Sequence, residues 1–230
     1  MSATEITWLG HSAFAVRSGG FDVLVDPFLD ESPVSQVKSG DVAADFILVT
    51  HGHFDHVGDT VSIAQRTGAK VVANFEIGNW LVQQGLAEEN VVGMNVGGTT
   101  QLPFGVVKMT VAHHSSGLPD GTYGGNPGGY VLTLPEGRVY FAGDTALTLD
   151  MRLIGMGGLE LAVLPIGDFY TMGPEDSIEA IKLLNPQSVL PCHYNTMPVV
   201  EQDAASWAEN VRSHTAAEPI VLAVGEKFSL

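Results

Sequence analysis

The segment from Thr50 to His56 concentrates residues that bind metal ions. It reads Thr-His-Gly-His-Phe-Asp-His and directly follows the apolar run Phe46–Val49. Its potential ligands are His51, His53, Asp55 and His56. Imidazole and carboxylate together suit Zn(II), Mn(II) or Fe(II), and alternate side chains of one loop can turn towards two neighbouring ions. The alternative is a polar turn whose histidines face solvent or cap a helix, but the density of ligands favours a metal site.

Further potential ligands follow other apolar runs. They are His11, Asp26, the pair His113 and His114, Asp144, Asp168 and His193. Open α/β sheets bind their ligands at the carboxyl ends of the strands. Residues that follow different strands, although far apart in sequence, are therefore expected to converge on one pocket. Taken alone, Asp144 fits a turn and His193 fits a loop. The cluster at 51–56 favours a functional interpretation of both.

Nine apolar, mostly β-branched runs predict strands. They are Ile6–Leu9, Val23–Val25, Phe46–Val49, Lys70–Ala73, Val106–Val111, Tyr130–Thr133, Val139–Ala142, Leu161–Leu164 and Ser188–Leu190. Helices are predicted between them at Thr60–Thr67, Phe75–Gln84, Glu175–Leu184 and Asp203–Ser213. Strands mixed with helices predict a layered α/β fold. A length of 230 residues without a repeat or linker favours one domain, residues 1–230.

The composition narrows the class of partner. Lys and Arg number 10 against 26 Asp and Glu, which gives a net charge of −16. Polyanions bind to patches of Lys and Arg, and no such run is present, so we expect neither nucleic acid nor an anionic membrane as partner. No apolar run approaches the ~20 residues that span a bilayer, and residues Met1–Glu5 show no positively charged region before an apolar stretch, as a signal peptide would. We therefore expect a cytoplasmic protein with a small-molecule substrate, with homo-oligomerisation left open.

Several motifs together resemble those of the metallo-β-lactamase superfamily. Thr50–His56 looks like its defining motif. Six shorter segments resemble its ascorbate-6-phosphate lactonase-like branch, and in particular that branch's uncharacterised metal-dependent hydrolases. These segments are Gly10–Phe14, Val25–Phe28, Ala112–Ser116, Phe141–Thr145, Pro165–Asp168 and Pro191–Tyr194. The resemblance runs from about Ile6 to Leu230. It implies a four-layer αβ/βα sandwich with the site at the edge between two sheets.

The resemblance also implies ligands for two divalent ions, zinc first, with manganese or iron as alternatives. It assigns one ion to His51, His53 and His114, the other to Asp55, His56 and His193, and a bridging role to Asp144. His113 is the alternative to His114, because successive residues of an extended segment point to opposite faces and normally only one reaches the metals. The Ser115-Ser116 pair directly after it favours His114.

The implied activity is hydrolysis. Two neighbouring ions would lower the pKa of a shared water towards about 7, and the resulting hydroxide would attack an ester, lactone or phosphoester of a small molecule. We predict catalytic roles for Asp55, His11 and Asp168, the last two as pocket residues that contact substrate or relay a proton. Each of those two could instead be a satisfied polar group at a strand end. Asp26 is predicted to orient a metal-bound imidazole, with an Asx turn before Pro27 as the alternative.

Three other functions fit the same ligands. A phosphodiesterase or ribonuclease would use the same metal pair but needs a positively charged path for nucleic acid. The others are an iron-containing redox enzyme and a metal-binding module without turnover. The resemblance favours a small phosphorylated or lactone-containing metabolite as substrate. Sparse Lys and Arg near the motifs provide no phosphate clamp, which weakens the case for a phosphorylated lactone, although metals and backbone amides could bind the phosphate instead. The glycine-rich stretch 117–129 lacks the context and Lys of a P-loop, so it is predicted to cover the site near His114.

Overall fold

A computed structural model describes residues 3–230, which form two seven-stranded mixed sheets. The first sheet contains β1 (Glu5–Gly10), β2 (Ala13–Ser18), β3 (Phe21–Val25), β4 (Phe46–Leu48), β5 (Lys70–Asn74) and β6 (Val91–Met94). The second contains β7 (Thr99–Leu102), β8 (Gly105–Val111), β9 (Gly128–Leu134), β10 (Gly137–Phe141), β11 (Leu161–Pro165), β12 (Ser188–Cys192) and β13 (Glu218–Pro219). The last strand, β14 (Lys227–Ser229), returns to the first sheet beside β1.

Six α-helices accompany the sheets within residues 3–230. They are α1 (Phe54–Val57), α2 (Thr60–Thr67), α3 (Phe75–Gln83), α4 (Met151–Ile154), α5 (Pro174–Leu184) and α6 (Ala204–His214). Short 3₁₀ turns occur at Glu88–Asn90 and Pro198–Val200. Even α5 and α6, with 11 residues each, fall far below the ~20 that a bilayer crossing requires, so this part of the chain contains no helix able to span a membrane.

The central strands bury both faces. In β4, Phe46 and Leu48 join the core between the two sheets, whereas Ile47 packs in the layer that contains residues of α2 and α3. In β5, Val72 faces the other sheet and Val71 faces the helices. Side chains alternate between faces along a strand, so strands covered on both sides are apolar throughout. On the far side, α5 and α6 pack against the second sheet, and the layer order is helix, sheet, sheet, helix.

The predicted α/β class and four-layer sandwich are confirmed. All nine predicted strands and all four predicted helices are present, with bounds that differ by at most two residues. The five strands that were not predicted are β2, β6, β7, β13 and β14. Of these, β13 and β14 have two and three residues and lie at sheet edges, where pairing defines a strand more than its side chains do. Helices α1 and α4 have only four residues each, too few for a helical pattern.

Candidate metal centre

Three strands end directly before a side chain of the site. Strand β1 is followed by His11, β3 by Asp26 and β12 by His193. All three residues have positive φ, at 53°, 45° and 54°. This left-handed conformation is rare for residues other than glycine and costs about 1 kcal/mol or more at each position. Backbone strain is therefore concentrated at the edge where the predicted ligands converge.

A first group of donors consists of His51, His53 and His114, whose nitrogens lie within 4.8 Å of one another. His53 Nδ1 is 3.0 Å from His51 Nε2 and 3.3 Å from His114 Nε2. The far ring nitrogens of two members have hydroxyl neighbours, Thr50 Oγ1 at 3.0 Å from His51 Nδ1 and Ser115 Oγ at 3.3 Å from His53 Nε2. Three ring nitrogens therefore face a common point.

The adjacent histidines 113 and 114 diverge. The side chain of His114 is 13 % exposed and faces the first group, whereas that of His113 is 56 % exposed. His113 Nε2 lies 3.7 Å from Asp150 Oδ2, on the surface. The backbone N–H of His113 donates to Thr145 Oγ1 at 3.0 Å, which fixes the chain so that the following residue turns inward. The structure thus brings His114, and not His113, to the cluster.

The second group of donors has four members: the predicted ligands Asp55, His56 and His193, together with His11. Helix α1 supplies Asp55 and His56, since both lie within its single turn. Asp55 Oδ2 is 4.0 Å from His193 Nε2. His56 Nδ1 donates to Asp26 Oδ2 at 2.8 Å, which leaves Nε2 as the free lone pair. Asp26 in turn accepts from the backbone N–H and hydroxyl of Thr50, at 2.8 and 2.6 Å.

Asp144 stands between the two groups. Its Oδ2 lies 3.6 Å from His114 Nε2 and 3.0 Å from His193 Nε2, and its Oδ1 lies 3.3 Å from His56 Nε2. The preceding Gly143 has φ of 62°, and a Cβ atom there would lie 2.9 Å from Thr50 Cβ. A side chain at this position would therefore collide with the loop of the first group. The glycine thus allows the carboxylate of Asp144, three residues after β10, to lie close to both groups.

Burial and charge set the protonation of the cluster. Burial, more than any other cause, lowers the pKa of all three imidazoles of the first group. Burial would raise the pKa of Asp144, yet His193 and His56 hold it well below its usual value. Burial likewise opposes protonation of His56, but the carboxylates of Asp144 and Asp26 raise its pKa well above the usual value. The lowered pKa values favour neutral imidazoles in the first group and an ionised Asp144, which are the forms that bind metal ions, whereas His56 must release a ring proton before its Nε2 can bind one.

Buried polar atoms without a hydrogen-bond partner indicate whether the site could hold a cation. His56 Nε2 and Asp144 Oδ1 are buried and make no hydrogen bond within residues 3–230. A buried polar atom without a partner costs about 1–3 kcal/mol, so native structures rarely contain two that face each other. The donor set of imidazole nitrogens and carboxylate oxygens is that of Zn(II), Mn(II) or Fe(II) sites. The residues present therefore fit divalent ions.

The two remaining predicted catalytic residues lie in different surroundings. His11 is fully buried beneath the cluster, with Nε2 3.1 Å from Asp55 Oδ2 and Nδ1 2.9 Å from Thr196 Oγ1. Burial first, and then His193, lower the pKa of His11 to about 4, so its ring is neutral at pH 7. Asp168 is exposed, has φ of 59° and does not line the cavity above the cluster. Its backbone carbonyl instead accepts the N–H of Thr171 in a tight turn.

A cavity of about 680 Å³ opens above the cluster. Its floor is formed by predicted ligands of both groups: His53, Asp55, His114, Asp144 and His193. Its walls are formed by Phe54, Ser115, Gly117, Leu118, Pro119, Tyr170 and Met197. The stretch 117–129 thus covers the site as predicted, through Leu118 and Pro119. The cavity gives a small molecule access to the donors.

Thr196 and the wall residues Phe54, Tyr170 and Met197 were not predicted as parts of the site. Thr196 lies three residues after His193, but a threonine in a loop carries no signal of its own. Phe54 is an apolar residue within the ligand motif, and only its position at the cavity distinguishes it from a core residue. Tyr170 lies two residues after Asp168, and its aromatic ring lacks the metal-binding chemistry that makes acids and histidines recognisable in a sequence.

Comparison with known proteins places this chain in a family. Residues 22–194 match the family model of the β-lactamase superfamily domain. A UPF0173 metal-dependent hydrolase of Thermus thermophilus is 49 % identical over 208 residues, covering 90 % of this chain and 91 % of the relative. Another, of Heliobacterium modesticaldum, is 44 % identical over 234 residues, covering 98 % and 97 %. The solved structure of Igni18, a metallo hydrolase of the archaeon Ignicoccus hospitalis, is 35 % identical with a TM-score of 0.90, covering 100 % and 99 %.

The chain belongs to the metallo-β-lactamase superfamily and, within it, to the family of UPF0173 metal-dependent hydrolases. The resemblance carried by the segment Thr50–His56 and the shorter motifs is confirmed. So is the fold that it implied.

Proposed function

We propose that this protein is a dinuclear hydrolase that cleaves an ester, lactone or phosphoester bond of a small molecule, with zinc as its metal. The observation that carries the proposal is the position of Asp144, whose carboxylate lies within 3.6 Å of ring nitrogens from both donor groups. One group comprises His51, His53 and His114, the other Asp55, His56 and His193. Bound divalent ions supply Lewis acidity, which polarises the scissile bond and acidifies water.

The chain's own residues orient the donors. Asp26 fixes the tautomer of His56 and so presents its Nε2 towards Asp144. His11 holds Oδ2 of Asp55 from below. Because Asp55 also lines the cavity, its carboxylate is in reach of both the centre and the substrate. These contacts support a preorganised centre at the floor of the cavity.

The cavity favours a small molecule over nucleic acid. Its lining residues, all within the described range, include no Lys or Arg, and the chain carries a net charge of −16. A nucleic acid substrate would require a positively charged path for its phosphates. We therefore prefer the small-molecule hydrolase over a ribonuclease or phosphodiesterase with the same metal pair.

The test combines metal content with turnover. We expect wild-type protein to bind about two ions per chain and to hydrolyse members of a panel of esters, lactones and phosphoesters. The variants Asp55→Ala and His193→Ala should each lose at least one ion and most of the turnover, because each removes a donor of the second group. Elemental analysis and spectroscopy would identify the metal and reveal an iron redox centre.

The adjacent histidines provide a matched pair of variants. His114→Ala should lose metal from the first group, whereas His113→Ala should keep the wild-type metal content, since its side chain lies at the surface. Loss of metal only in His113→Ala would reverse the assignment. Full occupancy in Asp55→Ala and His193→Ala would refute the ligand set. A fully loaded protein without turnover across the panel would indicate a metal-binding module instead.

A further inference from the structure

Above the floor of the cavity, the walls are apolar. Five of the seven wall residues are aromatic, aliphatic or thioether side chains: Phe54, Leu118, Pro119, Tyr170 and Met197. Phe54 and Tyr170 are each 52 % exposed, although large apolar side chains are usually withdrawn from water. Exposed aromatic groups around the mouth of a cavity typically mark a binding surface.

One wall is built rigidly. Leu118 and Pro119 lie on a loop that is tied to α3 by the bond from Trp80 Nε1 to Asp120 Oδ2, at 2.8 Å. Within the loop, Ser116 Oγ donates to Gly124 O at 2.9 Å and accepts the backbone N–H of Gly52 at 3.0 Å. The wall is therefore fixed to the loop that carries the first donor group. Its shape exists before a ligand binds.

Phe54 is held on the side of α1. Its ring packs edge to face on Phe28, with ring centroids 5.6 Å apart and an angle of 89° between the rings. Phe28 is buried, so the exposed ring of Phe54 rests on a fixed support. One face of an aromatic ring is thus presented next to Asp55 at the floor of the cavity.

Another part of the wall depends on a strained turn. Asp168 and Phe169 have consecutive positive φ angles of 59° and 47°, a costly arrangement for two residues other than glycine. The turn places Tyr170 in the cavity wall, and the ring of Phe169 packs against it with centroids 4.8 Å apart. Such strain is typically retained where the conformation serves a function, and here the strained turn positions Tyr170 in the cavity wall.

Charge is confined to the floor of the cavity. The lining residues, which all belong to the described part of the chain, contain no Lys or Arg, and their only acidic members are Asp55 and Asp144 of the donor cluster. A second ionised group on the substrate would therefore lose its hydration without gaining a partner on the walls. An alkyl or aryl group would instead bury apolar surface against the wall residues.

We infer that the substrate carries an uncharged, apolar acyl or aryl group beside the scissile bond, bound against the apolar wall residues Phe54, Leu118, Pro119, Tyr170 and Met197. The inference rests on the proposed function for the position of the reacting bond. It favours neutral esters and lactones with alkyl or aryl substituents over phosphorylated metabolites. Tyr170 is the residue that most directly sets this specificity.

Binding of hydroxamic acids tests the inference without requiring turnover, because a hydroxamate head can chelate the metal centre while its tail samples the walls. With zinc-loaded wild-type protein, we expect octanohydroxamic acid to bind at least about tenfold more tightly than acetohydroxamic acid in calorimetry, since its six further methylene groups enter the apolar cavity. Succinic acid monohydroxamate, whose tail ends in a carboxylate, should bind no more tightly than acetohydroxamic acid. Equal affinity of all three, or tightest binding of the charged tail, would overturn the inference.

Variants of Tyr170 test whether this residue causes the difference in affinity between the hydroxamic acids. Tyr170→Ala should reduce the affinity ratio of octano- to acetohydroxamic acid at least about threefold, and Tyr170→Lys should invert the preference towards the succinic derivative. Phe75→Ala removes an exposed aromatic ring that does not line the cavity and should leave the ratio unchanged. An unchanged ratio in both Tyr170 variants, with zinc content retained, would refute the role of Tyr170. If the ratio holds but no panel substrate is hydrolysed, the proposed hydrolase function fails while the apolar site stands.

Discussion

Several predicted ligands are held by a contact with a further side chain. Asp26 holds His56 at 2.8 Å, Thr50 Oγ1 lies 3.0 Å from His51 Nδ1, and His11 holds Asp55 at 3.1 Å. Partners of this kind fix the tautomer or the rotamer of a metal ligand, and their loss typically weakens metal binding. The role that the geometry supports for His11 is therefore to position Asp55, from a buried place below the cavity.

We predict that His11→Asn weakens zinc binding about 10- to 100-fold, which competition with a chelating dye would measure. Asparagine tolerates the positive φ of this position, so backbone strain does not explain the loss. Asp168→Asn is the matched control, since Asp168 also has positive φ but is exposed and does not line the cavity. Unchanged affinity in His11→Asn, or an equal loss in Asp168→Asn, would contradict the positioning role.

Among the elements, β5 and α3 stabilise the covering loop as well as the first sheet. Asn74, the last residue of β5, accepts the backbone N–H of Ile77 and so caps α3. Its side-chain amide also donates to the carbonyls of Gly124 at 2.6 Å and Asn126 at 3.0 Å. One buried side chain thus joins a strand end, a helix start and the loop that forms a wall of the cavity.

Asn74→Ala should lower the free energy of unfolding by about 2–4 kcal/mol, because it removes a helix cap and leaves two loop carbonyls without this donor. Urea denaturation would measure the change. Asn79→Ala alters an exposed asparagine of the same helix and should stay within about 0.5 kcal/mol of wild type. Similar losses in the two variants would mean that the cap and loop contacts contribute little.

At the scale of the whole molecule, the two sheets are joined by a hydrogen bond as well as by apolar packing. Tyr130 of β9, in the second sheet, is fully buried and donates its hydroxyl to the carbonyl of Val49 at 2.8 Å, beside β4 of the first sheet. The hydroxyl of Tyr140, on the neighbouring β10, is buried to the same extent and makes no hydrogen bond within residues 3–230. The two tyrosines differ mainly in this contact.

Tyr130→Phe should therefore destabilise the protein by about 1–2 kcal/mol, since it leaves a buried carbonyl without this donor. Tyr140→Phe removes a hydroxyl that has no partner and should be neutral or slightly stabilising. Chemical denaturation of both variants gives the comparison. If Tyr140→Phe is the more damaging of the two, the bond between the sheets does not contribute as the geometry indicates.

The sequence by itself determined the layered fold and the chemistry of its site. Strands such as β4 and β5 are recognisable because burial on both faces makes them apolar throughout, a local property. The donor types between His51 and His56 identify a metal site because imidazole and carboxylate chemistry does not depend on the rest of the chain. Edge strands such as β13 were not predictable, since their existence depends on a partner strand far along the chain.

Only the tertiary structure decided which way the side chains at the strand ends point. The direction of His11 and His193 follows from a positive φ at each residue, which no sequence pattern reports. His114 faces the cluster while His113 faces solvent because Thr145, a residue far along the chain, accepts the backbone N–H of His113. The apolar walls combine Phe54 of α1 with Leu118 and Tyr170 from two separate loops, so their shared surface exists only after the two sheets have packed.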